Sequence, residues 1–187
     1  MATNNPVLCS KHFTYEALIL CGQTLSNTQI DNTPKQAGTW QAIASLTENI
    51  LDPVYETFGP IELTYGFCSH KLGLKILKNQ SPGIAPKLDQ HAGYELNSLG
   101  KRICDRGGMA CDFRIPGYPM GVIAKWVVEN CPFDRLYFYG DDSPLHVSHG
   151  PDPEKAICVM RSAKGGIRRP CRYTVEKFLE LVDEHDT

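Results

Sequence analysis

The stretch Gly108-Met109-Ala110-Cys111-Asp112-Phe113-Arg114-Ile115 places a single carboxylate near the middle of an otherwise mostly apolar run. A short apolar run of this length predicts a buried strand. A buried carboxylate without a partner is costly, because burial removes its water. Asp112 therefore needs a partner, and two kinds are open: an arginine, of which Arg106 and Arg114 are close in sequence, or a metal ion.

Two histidines could complete a metal site with Asp112. His146 lies in a second predicted strand, 145–147, and His91 lies in a long polar segment, 79–108, that predicts a surface loop. Zinc accepts His nitrogen and Asp oxygen, and a catalytic zinc has three protein ligands and one position left for water. Two ligands on neighbouring strands and one on a loop would suit such a site. From residue types alone, a core histidine and an Asp–Arg pair remain open as alternatives.

The elements around these strands follow from periodicity and from turn residues. Helices are predicted over 14–21, with Thr14 as the N-cap, over 40–51, ending at Asp52-Pro53, from Pro119 onward, and over 175–182. Further strands are predicted over 61–65 and 136–139. Strands mixed with helices in this order predict an α+β domain with a small antiparallel sheet and helices packed mainly on one side.

Length and composition agree with one domain spanning 1–187. The chain has 187 residues and a net charge of −2, so a whole-molecule attraction to nucleic acid or to an anionic membrane is not expected. Its eight cysteines include no CxxC pair, which argues against a zinc ribbon. No charged segment followed by an apolar stretch opens the chain, and the apolar runs are short. We therefore expect a cytoplasmic protein.

Several segments, in order, resemble the zinc D-alanyl-D-alanine carboxypeptidase family, whose fold is shared with the Hedgehog signalling domain. Three of them correspond to the segments that carry the family's zinc ligands: Asp89-Gln90-His91, Gly108-Met109-Ala110-Cys111-Asp112-Phe113 and Leu145-His146-Val147-Ser148. Six further matches lie at 10–18, 32–34, 50–54, 58–59, 64–67 and 133–136. The likeness covers roughly 10–150, and 151–187 is interpreted as a basic turn followed by a C-terminal helix.

The resemblance implies a zinc ion bound by His91, Asp112 and His146, and a hydrolase of a peptide or an amide-like bond that uses metal-activated water. The first two ligands are closer together in the family than the 21 positions (112 − 91) found here. Residues from 92 to about 106 are therefore interpreted as an insertion. An alternative alignment keeps the family spacing and makes Asp105 the first ligand, which would give a site richer in oxygen and suited to other metals.

Two further departures concern substrate binding and proton transfer. Cys68 occupies the position of the family's carboxylate-binding arginine, and a thiol cannot form the bidentate pair that a guanidinium forms. The candidates to bind substrate in its place are His70, Lys71 and Arg106. The family's general base is replaced by Ser143, which leaves Asp142, or Asp141, as the catalytic candidates. His149 is a candidate hydrogen-bond donor behind the metal ligands.

The alternative function is a metal-binding recognition module without turnover, which the changes at Cys68 and Ser143 favour. Its partner would be an acidic protein or a nucleic acid, with no membrane involved. The predicted contact surface is a basic segment formed by Arg161, Lys164, Arg168, Arg169 and Arg172.

Overall fold

Within the described part of the chain, the strands form one six-stranded sheet. The computed structural model describes residues 7–20, 22–78, 90–162 and 168–183. The strands are β1 (Glu62–Tyr65), β2 (Met109–Arg114), β3 (Arg135–Phe138), β4 (Leu145–His149), β5 (Ala156–Ser162) and β6 (Arg168–Tyr173). Their order across the sheet is β1-β2-β4-β3-β5-β6.

The sheet is mixed, so the prediction of an antiparallel sheet is wrong in one place. β3 and β4 form an antiparallel hairpin, and β5 then lies on the outer side of β3, parallel to it. The chain reverses twice between β3 and β5, which gives β5 the direction of β3. All other neighbouring strands are antiparallel, and the α+β class is as predicted.

The described helices are α1 (Tyr15–Leu20), α2 (Gln23–Ser26), α3 (Ala37–Leu46), α4 (Asp52–Phe58), α5 (His70–Lys78), α6 (Met120–Asn130) and α7 (Val175–Asp183). α1 begins as its sequence predicts, because the hydroxyl of Thr14 accepts a hydrogen bond of 3.1 Å from the backbone N–H of Ala17.

The helix predicted to end at Asp52-Pro53 in fact continues to Phe58. A π-helical segment, Thr47–Leu51, joins α3 to α4, and the N–H of Asp52 bonds to the carbonyl of Thr47. Proline is tolerated in the first turn of a helix, where its missing N–H costs nothing. The widened turn restarts the helix at Asp52, so Pro53 falls in a first turn and not in a helix interior.

The two faces of the sheet differ in composition. Met109, Cys111 and Phe113 alternate along β2 and are fully buried in the main core, which α3, α6 and α7 share. Helices thus pack mainly on this face, as predicted. The intervening residues of β2, among them Asp112, point to the other face, which we call the open face. The candidate site lies there.

Two segments differ from their predictions. The strands β5 and β6 occupy much of the region interpreted as a basic turn, and Ile157 and Val159 of β5 are buried in the core. Of the segment predicted as a surface loop, 79–89 lies outside the described residues, whereas Gln90, His91 and Glu95 are buried. Among the described helices, none combines the length and apolar character that crossing a membrane requires.

Candidate metal centre

The register of β2 against β4 brings Asp112 and His146 together on the open face. The two residues are direct cross-strand partners. Nδ1 of His146 lies 2.7 Å from Oδ1 of Asp112, and the His146 side chain is 3% exposed whereas that of Asp112 is 28% exposed. Two of the three predicted ligands, Asp112 and His146, are therefore held by the sheet itself. The carboxylate of Asp112 remains partly accessible.

The third ligand, His91, comes from the loop that precedes β2. Its Nδ1 is 2.8 Å from the carbonyl oxygen of Gly66, so this nitrogen carries the proton and donates it. The other ring nitrogen, Nε2, then faces Asp112, with 3.3 Å between Nε2 and Oδ1. The carbonyl of His91 also accepts a hydrogen bond of 3.0 Å from the N–H of Cys68.

The buried side chain of Glu95 holds this loop in place. Oε1 of Glu95 accepts hydrogen bonds from the N–H groups of Lys35 and Gln36 and from the hydroxyl of Thr39, at 2.9, 3.0 and 2.9 Å. Glu95 thereby fixes the loop to the start of α3, four residues after His91.

Asn32 holds the 66–69 turn, in which the carbonyl of Gly66 accepts the hydrogen bond from His91. Its amide group donates to the carbonyls of Ile19 and Phe67 at 2.8 Å and accepts from the N–H of Ser69 at 2.8 Å. The 66–69 turn, which receives the imidazole of His91, is held at both of its ends by one side chain. Neither Glu95 nor Asn32 was predicted as a site residue.

The three ligand atoms have the types and separations that a metal site needs. One oxygen and two nitrogens, from Asp112, His91 and His146, lie within 4.8 Å of one another. Tetrahedral zinc with bonds of about 2.0–2.1 Å sets its ligand atoms about 3.3 Å apart, and the His91–Asp112 distance is 3.3 Å. The 2.7 Å contact of His146 is a hydrogen bond, which a bound ion would replace. The group could therefore hold a metal ion.

The charge state of Asp112 suits the same role. Burial on its own raises the pKa of this carboxyl group. The charge of His91 and hydrogen bonds from both imidazoles outweigh the burial and hold the pKa of Asp112 well below its ordinary value. The carboxylate is therefore ionised at neutral pH, as a metal ligand must be.

Aromatic side chains line both imidazoles. Tyr137, on β3, stacks on His146 with ring centroids 4.5 Å apart and an interplanar angle of 12°. Tyr65, at the end of β1, meets His91 edge-on at 4.4 Å. Tyr137 alternates with Leu136 and Phe138 along β3, which places it on the face of His146, a signal present in the sequence.

A small cavity opens beside the three ligands. It has a volume of about 230 Å³ and lies between α2, β1 and α5. We call it the α2–α5 cavity, and its lining residues are Gly22, Gln23, Thr24, Leu25, Thr64, Tyr65, Leu72, Ile76 and Asp112. The partly exposed carboxylate of Asp112 is the contact between the cavity and the ligand group.

The rival first ligand, Asp105, is exposed and does not belong to the ligand group. The residues interpreted as an insertion include a small closed loop, in which the N–H of Ile103 bonds to the carbonyl of Glu95 at 3.1 Å. A loop that returns to its starting point explains how a separation of 21 positions leaves His91 beside Asp112.

The two arginines considered as partners of Asp112 bind other carboxylates. Arg106 forms a bidentate pair with Asp134, with Nε–Oδ2 and Nη2–Oδ1 distances of 3.0 and 2.7 Å. Arg114 lies 3.7 Å from Glu62. The guanidinium of Arg106 is thus engaged within the protein, which gives no support to its predicted substrate-binding role.

Cys68 and the two remaining substrate-binding candidates, His70 and Lys71, lie at or just before the start of α5. Cys68 is 7% exposed and packs in a small apolar cluster with Leu25, Leu72 and Ile76. His70 is the first residue of α5. Cys68 therefore lies close to His91 in the structure, but as part of the apolar packing.

Asp141 and Asp142 lie apart from the α2–α5 cavity. Oδ1 of Asp141 accepts a hydrogen bond of 2.8 Å from the N–H of Gly121, at the start of α6. Asp142 lines a different cavity, next to Tyr118. Neither carboxylate is among the described residues that line the cavity beside the ligands, so their predicted catalytic role has no support from their location.

His149 also lies away from the ligands. It is three positions after His146 on β4, and side chains alternate between faces, so it points to the other side of the sheet. Its Nδ1 lies 2.7 Å from the carbonyl oxygen of Pro132. It is therefore not the hydrogen-bond donor behind the ligands that was predicted.

The predicted basic surface is divided between both faces of the β5–β6 hairpin. Arg161 and Arg169 are cross-strand partners on one face, and Arg172, opposite Cys158, lies on the other. The guanidinium of Arg161 lies over the ring of Tyr173. Lys164 lies outside the described residues, and Arg168 is the first residue of β6.

Comparison with known proteins gave no relative: no protein-family model, no curated protein and no solved structure matches this chain. The family resemblance therefore depends on the motifs alone, and the case for a function depends on the geometry above.

Proposed function

We propose that this protein is a zinc-dependent hydrolase of a peptide or amide-like bond, with His91, Asp112 and His146 as the zinc ligands. The observation that carries the proposal is the convergence of Nε2 of His91 and Nδ1 of His146 on one oxygen of Asp112. This group borders a cavity that a substrate could enter. The resemblance to the zinc carboxypeptidase family adds support from the order of the motifs.

The donor set favours zinc over harder cations. Two imidazole nitrogens and one carboxylate oxygen suit zinc, whereas calcium and magnesium prefer oxygen ligands only. When bound with an open fourth position, zinc supplies Lewis acidity and an activated water at neutral pH. Hydrolysis then adds water across the amide: the C–N bond breaks, the acyl group gains a hydroxyl and the amine gains a proton.

The residues of this chain contribute position and charge. The hydrogen bond from Nδ1 of His91 to the carbonyl of Gly66 fixes the ring so that Nε2 is aimed at the ligand group. The ring of Tyr137 lies against His146 and limits its rotation. Asp112 supplies the negative charge that attracts a divalent ion, and its exposed part borders the space for the substrate.

The test is elemental analysis of the purified protein together with three variants. We expect about one zinc per chain in the wild type, loss of zinc in His91→Ala and in Asp112→Ala, and retention in Asp105→Ala, the matched control at an exposed site. Circular dichroism would establish that each variant is folded. Zinc retained in a folded His91→Ala variant would contradict the ligand assignment, and no cleavage of a mixed peptide library by the zinc-loaded protein would contradict the hydrolase.

The second candidate function is metal-dependent recognition without turnover. The specific observation in its favour is that Asp112, itself a ligand, is the only carboxylate among the described residues that line the α2–α5 cavity. Stoichiometric zinc without any cleavage would support this function. A nucleic-acid partner for the basic segment stays a prediction, tested by salt-dependent binding that is lost in Arg169→Ala/Arg172→Ala.

A further inference from the structure

The lining of the α2–α5 cavity is apolar on the side away from the metal ligands. Leu25 of α2 and Leu72 and Ile76 of α5 are 7%, 0% and 4% exposed and belong to one small apolar cluster. Leu72 and Ile76 are four positions apart, so they share one face of α5. The other described lining residues are Gly22, Gln23, Thr24, Thr64, Tyr65 and Asp112, none of which is cationic.

Cations are absent from this lining, as far as the described residues go. The lysines of α5, at positions 71, 75 and 78, lie on its exposed face. Arg106 is engaged with Asp134, and Cys68, in the position that the resemblance assigns to a carboxylate-binding arginine, is an uncharged thiol buried in the apolar cluster.

This lining disfavours an anionic group. A carboxylate that leaves water without a cation beside it loses several kcal/mol of hydration free energy. An uncharged apolar group, in contrast, gains by leaving water.

The volume suits one side chain. The cavity holds about 230 Å³, and a cavity of about 150 Å³ lined by apolar side chains is enough for benzene. A group the size of a leucine or phenylalanine side chain therefore fits between α2 and α5.

From this lining we infer that the α2–α5 cavity binds an uncharged apolar side chain next to the scissile amide, so that the substrate is an internal or blocked amide and not a residue with a free carboxylate. This inference depends on the proposed function for the position of the scissile bond. It deepens that function by naming a substrate class that differs from the terminal D-alanine the resemblance implies.

The first test measures binding to the metal-free protein and is independent of turnover. N-acetyl-leucine amide and N-acetyl-leucine differ in the charge of one group, and NMR titration gives the dissociation constant of each. We expect the amide to bind at least about tenfold more tightly. Equal or tighter binding of the free acid would overturn the inference, and so would binding of neither probe.

Two pairs of variants locate the effect. Ile76→Ala removes apolar contact from the cavity and should weaken binding of the amide about tenfold, whereas Leu74→Ala, at a residue of α5 that is 47% exposed, should leave it unchanged. Should Ile76→Ala fail to fold, Thr24→Lys adds a cation at a half-buried site of the cavity. It should reverse the preference toward the free acid, and Gln29→Lys, at an exposed position outside the lining, should not.

The zinc-loaded protein then separates the two proposals. Cleavage of an internal Leu-containing peptide and not of the same peptide ending in a free carboxylate at that position supports both. Tight, selective binding of the amide probe without cleavage supports the cavity and contradicts the hydrolase. Cleavage that prefers the free carboxylate supports the hydrolase and contradicts the cavity.

Discussion

Replacing Arg106 by methionine is expected to lower the free energy of unfolding by about 3–5 kcal/mol. The side chain of Asp134 is only 1% exposed, and Arg106 is its bidentate partner at 2.7 and 3.0 Å. These hydrogen bonds raise the pKa of the Arg106 guanidinium. In the variant, the buried carboxylate of Asp134 keeps its hydrogen bond from the N–H of Glu154 but loses its counter-charge.

The magnitude follows from the burial of Asp134. Removing one partner of a buried ion pair costs about 3–5 kcal/mol, because the other charge is left without compensation. For a chain of this size, each kcal/mol corresponds to about 2–4 °C in Tm. We therefore expect Tm to fall by about 6–20 °C in a thermal denaturation followed by circular dichroism, with zinc content per folded chain unchanged.

The matched control is Arg114→Met. Arg114 pairs with Glu62 at 3.7 Å, and the side chains are 46% and 56% exposed, so the expected loss is below about 1 kcal/mol. A double variant, Arg106→Met/Asp134→Asn, removes the buried charge and should recover part of the loss. An Arg106→Met variant as stable as the wild type but unable to bind the substrate would refute this reasoning and restore the substrate-binding role predicted from the sequence.

Three further predictions concern the fold around the site. Gly108→Ala should lower the free energy of unfolding by more than about 4 kcal/mol or prevent folding, because Gly108 has φ +107° and an added Cβ would lie 2.1 Å from the carbonyl oxygen of His149. The control is Gly117→Ala, where φ is +89° and nothing lies within 4 Å. Its free energy of unfolding, measured in urea, should fall by about 1 kcal/mol. Asn32→Ala removes the partner of two buried carbonyls and of the half-buried N–H of Ser69, and should cost about 3 kcal/mol, with weaker zinc binding in competition with a chelator. Full stability would argue against the role given to this side chain. The pKa of Asp112 is lower in the folded protein than its ordinary value near 4, so the stability it provides is present above about pH 4 and is lost as the pH falls. Metal-free Asp112→Asn should therefore lose less stability than the metal-free wild type between about pH 5 and pH 2. An equal loss of stability in the two proteins over this range would show that folding does not stabilise the ionised form of Asp112.

The ligand group was predictable because its residues conflict with their surroundings. Asp112 and His146 are polar residues within apolar strands, and a shared site gives each of them a partner. The choice of His91 over Asp105 could not be made from residue types, since both are possible ligands in a polar segment. It depends on how the intervening loop closes, through the backbone contact between Glu95 and Ile103.

The elements that were missed depend on contacts between distant segments. The chain continues through Pro53 as helix because a π-helical turn precedes it, and nothing in local propensity predicts such a turn. The parallel arrangement of β5 beside β3 is set by the order of the strands and not by any one strand. The expected bases, Asp141 and Asp142, were assigned by nearness in sequence to His146, but the turn that contains them points toward α6.

The anchoring of Glu95 has a consequence for how this chain can vary. His91 is fixed by contacts with the 66–69 turn and, four residues onward, by the carboxylate that binds the start of α3. Both of these restraints act at or after His91. A change at Glu95 would therefore release the loop from α3 while Asp112 and His146 stay paired across β2 and β4, so that a divergent chain would lose one ligand and keep the other two.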